Sequence, residues 1–194
     1  KPFLQAQGAQ RYEKTIELQA NRGRILDRHG VVLASSLPAR SIWAYADRVD
    51  LSDPRLMDLA RLLGMKPQDL QAKLTHGDRS FVFLKRQVDL DTAERIAALR
   101  IHGIGQDSEY KRNYPEGEIA AHLVGFTDLA HVGQEGLELA FQSTLAGKPG
   151  SRRVVRDGSG RIISDIDQIR EPQDGRDLKL TIDSRIQYQA FQAV

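Results

Sequence analysis

The 194-residue chain contains no cysteine. That absence removes a disulfide framework, a thiolate metal site and a cysteine nucleophile together, and it says little about compartment. No apolar run approaches the ~20 residues needed to span a bilayer, and no signal peptide opens the chain. Charge of neither sign dominates: 28 lysines and arginines face 26 acidic residues, leaving +2. No whole-molecule field therefore argues for a nucleic-acid partner. The five histidines (His29, His76, His102, His122, His131) lack a second ligand at i+4 or a carboxylate at ligand spacing, so no metal is expected. Gly158-Ser159-Gly160 and Gly103-Ile104-Gly105 lack the third glycine of a phosphate loop, and no cofactor is implied. There is no internal repeat. What is present, 40% apolar and 28% charged residues, is ordinary for a globular protein with a real core. The chain opens abruptly at Lys1 and stops at Val194 inside a helical pattern. It reads as a piece of something longer, with any membrane anchor upstream of Lys1.

The stretch Arg22 to Ala34 organises the rest. Gly23 and Gly30 punctuate it, and Arg22, Arg24, Asp27 and Arg28 are set among Ile25, Leu26, Val31, Val32 and Leu33. Charges held beside apolar positions must pair if they are buried, because an unpaired buried charge is very costly. The local pattern predicts a hairpin: Arg24–Arg28 out, His29-Gly30 as the turn, and Val31–Ala34 back, with Gly30 supplying a positive φ. An ordinary surface hairpin with incidental charges fits the same spacing.

Along the chain, residues 3–13 are weakly helical and Thr15–Gln19 alternates as a strand. Ser41–Ala46 reads as a strand. From Ser52, taken as a cap, a helix carries Leu56, Leu59, Leu62 and Leu63 to a stop at Gly64, and a second begins at Pro67. Phe81–Val88 alternates as a strand, and Asp91-Thr92-Ala93-Glu94 looks like a capping box opening a third helix. Ile104–Tyr110 should be a strand, Ile119–Val124 a helix, and Gln134–Leu145 one helix closed by Gly147. Strands at 151–156 and 161–166 flank Asp157–Gly160, Leu178–Ile182 is a strand, and Asp183 caps a last helix. The sum is α+β, mainly antiparallel hairpins with packed helices and an inserted small α/β lobe.

Three further motifs follow the first. Arg112-x-Tyr114-Pro115-x-Gly117-x-x-Ala120-x-His122-x-x-Gly125 combines a turn with a helix start. Pro115 holds Tyr114 extended, and Gly125 shares a helical face with His122, where a second backbone can come close. Gly133-x-x-Gly136-Leu137-Glu138 leads to Leu145-x-Gly147-x-x-Gly150. Leu178-x-Leu180-Thr181-Ile182-Asp183 precedes Gln187. With R-G-x-I-x-D-R-x-G-x-x-L-A at Arg22–Ala34, these four resemble, in order, the motifs of the non-catalytic module of class B penicillin-binding proteins, which cross-link peptidoglycan. One departure stands out: that family places an acid after the aromatic where this chain has Phe141-Gln142. Gly125-Phe126-Thr127-Asp128 adds likeness to the division branch. The expected bracing network joins Asp27 and Glu138 to Arg22, Arg28, Arg112 and Arg152, with Glu138 favoured near a helix start.

The resemblance implies a pedestal at 1–49 and 103–176, an inserted head lobe at 50–102, and the start of a transpeptidase domain at 177–194. It implies work at the periplasmic face of the bacterial inner membrane, in septal cell-wall synthesis. The implied partners are the chain's own transpeptidase domain, a SEDS-family glycan polymerase and bitopic division proteins, with a homodimer left open. An elongation-type pedestal is the neighbouring alternative. The competing enzyme reading rests on Ser108-Glu109-Tyr110-Lys111, which matches S-x-x-K. That motif needs a helix start to bring lysine beside serine, whereas residues three apart in a strand point to opposite faces. Ser108 also precedes the Arg112 motif, and no K-T-G completes a site. No catalytic residue is expected in this chain.

Overall fold

The computed structural model describes residues 13–75, 81–156 and 162–193. The fold is α+β. Its strands are β1 (Glu13–Leu18), β2 (Ile25–Leu26), β3 (Val32–Tyr45), β4 (Phe81–Val88), β5 (Ile104–Asn113), β6 (Gly150–Arg156), β7 (Ile162–Arg170) and β8 (Leu178–Lys179). Its helices are α1 (Arg55–Leu63), α2 (Pro67–Thr75), α3 (Leu90–Ala98), α4 (Ala121–Val124), α5 (Gly136–Ala140), α6 (Gln142–Leu145) and α7 (Ser184–Gln192). The helix expected over 3–13 lies outside the described residues except for Glu13, which opens β1, and the 157–160 turn lies outside them too. Among the described residues no helix is long and apolar enough to cross a membrane.

The chain divides into two compact units. The first takes Lys1–Leu37, Arg112–Arg156 and Ile162–Val194; the second is centred on Pro38–Lys111. The second unit is wider than the 50–102 stretch because the far half of β3 and most of β5 belong to it. In this unit β4 pairs antiparallel with β3, Trp43 opposite Phe83 and Tyr45 opposite Phe81. Alternation sends Ile42, Ala44 and Leu84 into a core with Leu59, Leu63, Leu70 and Ile96 from α1, α2 and α3. Trp43, Tyr45, Phe81 and Phe83 make a run of edge-on and tilted ring contacts. Two caps differ from expectation. Ser52 donates both N–H and hydroxyl to Asp50, at 2.9 and 2.6 Å, and it is Asp53 that accepts from the Arg55 N–H. The third helix is capped by Asp89, which accepts from Thr92 N–H at 2.8 Å, two residues before the expected box. In each case an aspartate takes the free N–H two or three residues further on.

In the first unit, β1, β6 and β7 form a three-stranded sheet in the order β1-β6-β7, antiparallel throughout. β2 pairs antiparallel with β3 across the expected turn, where Gly30 has φ 87° and donates to Asp27 O. β2 also pairs with β8, in parallel. Only 178–179 is regular strand, yet the ladder continues beyond it: Leu180 N–H donates to Leu26 O, and Arg28 N–H to Ile182 O. Ile25, Leu33, Ala34, Ala120, Val124 and Leu145 form this unit's core. The single helix expected at 134–145 is two, α5 and α6, broken at Phe141 where φ reaches −109°. The helix expected at 119–124 begins as a 3₁₀ turn, Gly117–Ile119, before α4.

Candidate functional site

Glu138 lies on α5 with no solvent exposure, and two arginines converge on it. Arg22 Nε donates to one carboxylate oxygen at 2.6 Å, and Arg112 Nε to the other at 2.8 Å. Two positive groups and one negative group leave a buried excess charge, which only further acceptors can balance. The backbone supplies most of them. Arg22 also donates to Glu138 O at 2.8 Å and His131 O at 3.0 Å. Arg112 donates to Gly23 O at 2.8 Å, Ser36 Oγ at 3.1 Å and Arg22 O at 3.3 Å. The flat guanidinium fork can serve several fixed oxygens at once, which an ammonium cannot. The three side chains thus hold three separate chain segments to one point.

Glycine makes the approach possible. A Cβ on Gly125 would stand 1.9 Å from Glu135 O, and one on Gly136 would stand 2.6 Å from Leu123 O. Both residues also have positive φ, 74° and 59°. The end of α4 and the start of α5 therefore meet backbone to backbone, and α5 carries Glu138 into the interior. Tyr114 flanks this packing, its hydroxyl accepting from Thr127 N–H at 3.1 Å. Burial, and then the Glu138 charge, raise its pKa. Gly117 N–H closes a turn onto Tyr114 O beside exposed Pro115. His122 is exposed on α4, whereas Val124 and Gly125 are buried. Gln142, standing where the resemblance expects an acid, accepts from Gly133 N–H at 2.9 Å. An amide oxygen does that without a charge.

Asp27 departs from the expected network. It is fully buried, but its hydrogen bonds come from backbone and hydroxyl groups. One oxygen accepts from His29 N–H at 2.7 Å and Val31 N–H at 2.9 Å. The other accepts from Ser184 Oγ at 2.9 Å and Ser184 N–H at 3.2 Å. Burial pushes the carboxyl up, yet the bonds from Val31, Ser184 and His29 together outweigh it and hold Asp27 below the usual carboxylate range. Arg28 turns to Thr181 O, and His29 Nε2 meets Asp183 at 2.9 Å. Arg24 pairs with Asp177 at 2.7 Å. The segment 24–29 thereby grips 177–184. Arg152 lies on β6 opposite Ile16, in the three-stranded sheet, and the ion pairs of Glu138 run to Arg22 and Arg112.

Ser108 sits exposed in β5 and accepts from Arg40. Lys111 follows in the same strand, so no helix start places its amine beside the hydroxyl. Its neighbour Glu109 is buried and accepts from Arg86 Nε at 2.8 Å and Gln87 N–H at 3.0 Å. This pair went unread in the sequence, although an acid at an inward position of an alternating strand is the signal for it. Ser184 was missed as well; its role depends on a residue 157 positions away. Among the described residues no three His, Asp or Glu side chains gather at metal-binding distance.

A family model described as penicillin-binding protein dimerisation domain matches residues 17–180. The chain is 40% identical over 194 residues to the probable peptidoglycan D,D-transpeptidase PenA of Neisseria gonorrhoeae, covering 98% of this chain and 33% of that protein. To the peptidoglycan D,D-transpeptidase FtsI of Escherichia coli K12 it is 37% identical over 192 residues, covering 95% and 32%. It therefore spans about a third of the length of these curated relatives. Among solved structures, a complex between penicillin-binding protein PBP2 and MreC from Helicobacter pylori is similar at TM-score 0.67 and 19% identity, covering 93% of this chain and 38% of that one. A peptidoglycan synthetase from Bifidobacterium adolescentis is similar at TM-score 0.56 and 25% identity, covering 93% and 38%.

Proposed function

Because this chain belongs to the penicillin-binding protein dimerisation-domain family, we propose that it is the non-catalytic pedestal of a membrane-anchored peptidoglycan transpeptidase. The observation that carries the reading is the grip of 24–29 on 177–184: Asp27 on Ser184, Arg28 on Thr181 O and His29 on Asp183. A pedestal must hold the first residues of the domain it supports, and α7 is the element that would begin that domain. The bonds fix where α7 starts, and the buried Arg22–Glu138–Arg112 cluster stiffens the body from which they reach. The unit centred on Pro38–Lys111 is then the inserted head lobe. Acyl transfer belongs to the polypeptide beyond this chain.

The Gly125-Phe126-Thr127-Asp128 turn favours the septal branch over the elongation branch. Work in septal synthesis places the module at the periplasmic face of the inner membrane, with an anchor preceding Lys1. Its partners there are the attached transpeptidase domain, a SEDS-family glycan polymerase and bitopic division proteins. The test is intact-protein mass after incubation with a fluorescent penicillin. The expected result is no adduct on this chain and a single adduct on a protein extended past Val194. An adduct on the 194-residue chain, lost in Ser108→Ala, would overturn the reading and make the chain itself an acylating enzyme.

A further inference from the structure

The first unit carries a pocket of about 430 Å³. Its floor is apolar and rigid, because Leu33, Ala120 and Val124 belong to the buried core. Phe126 stands at its wall, 52% exposed. Its rim has one sign of charge. Glu116, Glu118 and Glu135 all line it beside His122, and no lysine or arginine does. None of the three glutamates is held in an ion pair among the described residues. In a chain with a formal charge of +2, three unengaged carboxylates around an apolar hollow form a local field of opposite sign.

We propose that this pocket is a docking site for a basic peptide segment of a partner protein, which seats one aromatic or large aliphatic side chain in the hollow and sets lysines or arginines against Glu116, Glu118 and Glu135. The volume lies in the range of pockets that enclose a sizeable apolar group. Anchors of this kind, ringed by complementary charge, are the usual energetic centre of a peptide interface. The rim decides between occupants. A glycan carrying carboxylates, an anionic lipid or a nucleic acid would meet repulsion from the same three groups. A second copy seated on this patch about a two-fold axis would bring six carboxylates together, so self-association here is disfavoured. The proposal deepens the pedestal reading, on which it rests for the need of a partner, and its test is independent of the penicillin experiment.

The test is selection of a displayed random-peptide library on the 194-residue chain, counter-selected on the triple variant Glu116→Gln, Glu118→Gln, Glu135→Gln. The three glutamates lie at half-buried or exposed positions, so the triple variant should fold. Enriched peptides should share an aromatic or large aliphatic residue flanked by lysine or arginine. By fluorescence polarisation, binding of the best peptide should weaken about tenfold on the triple variant, and similarly at high salt. Ala121→Trp, at an exposed lining position, should block it. The proposal is overturned if no peptides enrich, if enriched peptides are neutral or acidic, or if binding ignores Ala121→Trp. It is also overturned if sedimentation shows a dimer of the chain that Ala121→Trp dissociates. Failure on any of these counts with the penicillin result intact would remove the docking site and leave the pedestal standing.

Discussion

Replacing Glu138 with alanine leaves Arg22 and Arg112 buried beside each other without a counter-charge. Breaking a buried ion pair by removing one partner costs about 3–5 kcal/mol. For a chain of this size that corresponds to a fall in Tm of roughly 6–20 °C. The more searching variant is the apolar triple, Arg22→Met, Arg112→Met, Glu138→Leu. In other proteins, well-packed hydrophobic residues can replace a buried ionic triad at no cost or with a gain of about 1–4 kcal/mol. Here the arginines also satisfy the carbonyls of Arg22, Gly23, His131 and Glu138. Each carbonyl left unpartnered costs about 1–3 kcal/mol. At mid-range the four carbonyls cost about 8 kcal/mol, more than the largest gain of about 4 from apolar replacement, so the triple variant should stay destabilised by several kcal/mol even with the charge problem removed. Urea unfolding followed by fluorescence and circular dichroism measures both variants, and coincidence of the two probes shows whether the two units unfold together. A triple variant as stable as the parent, or a Glu138→Ala loss under ~1 kcal/mol, would refute the claim that this cluster braces the fold through backbone carbonyls.

Acid should weaken the grip on α7 in a defined direction. Asp27, Asp177 (through its hydrogen bond from Arg24) and Asp183 (through its hydrogen bond from His29) all lie below the usual carboxylate range when folded. Unfolded, they take up protons near pH ~4. The unfolded chain then binds more protons, so stability present above that pH is lost as pH falls through it and below. Asp27→Asn should flatten the slope of Tm against pH in this window, and an unchanged slope would show that Asp27 is not the linked group. Gly125→Ala should destabilise by well beyond the ~1 kcal/mol of a typical point substitution, because its Cβ would overlap Glu135 O at 1.9 Å. Near-parental unfolding of that variant would mean α4 and α5 can separate without loss.

Much of the fold was legible because it is local. Alternation marks β4 and β5, Gly30 closes its hairpin, Gly64 ends α1 in the left-handed region at φ 65°, and Asp183 accepts from Arg185 N–H at the start of α7. In each case the chemistry that decides the conformation lies within a few residues of the position it controls. The motifs likewise pointed to a partly buried network of Asp27 and Glu138 with Arg22, Arg28, Arg112 and Arg152, of which the structure joins Arg22, Arg112 and Glu138. They did not say which partner each would take. Arg22 meets Glu138 across 116 positions, and Asp27 chooses Ser184, 157 positions away, over any arginine. The break at Phe141 and the parallel pairing of β2 with β8 belong to the same class. Burial, which the sequence dictates, makes a partner obligatory; its identity depends on which oxygen the packed backbone brings within about 3 Å, and that is settled only when the distant segments meet.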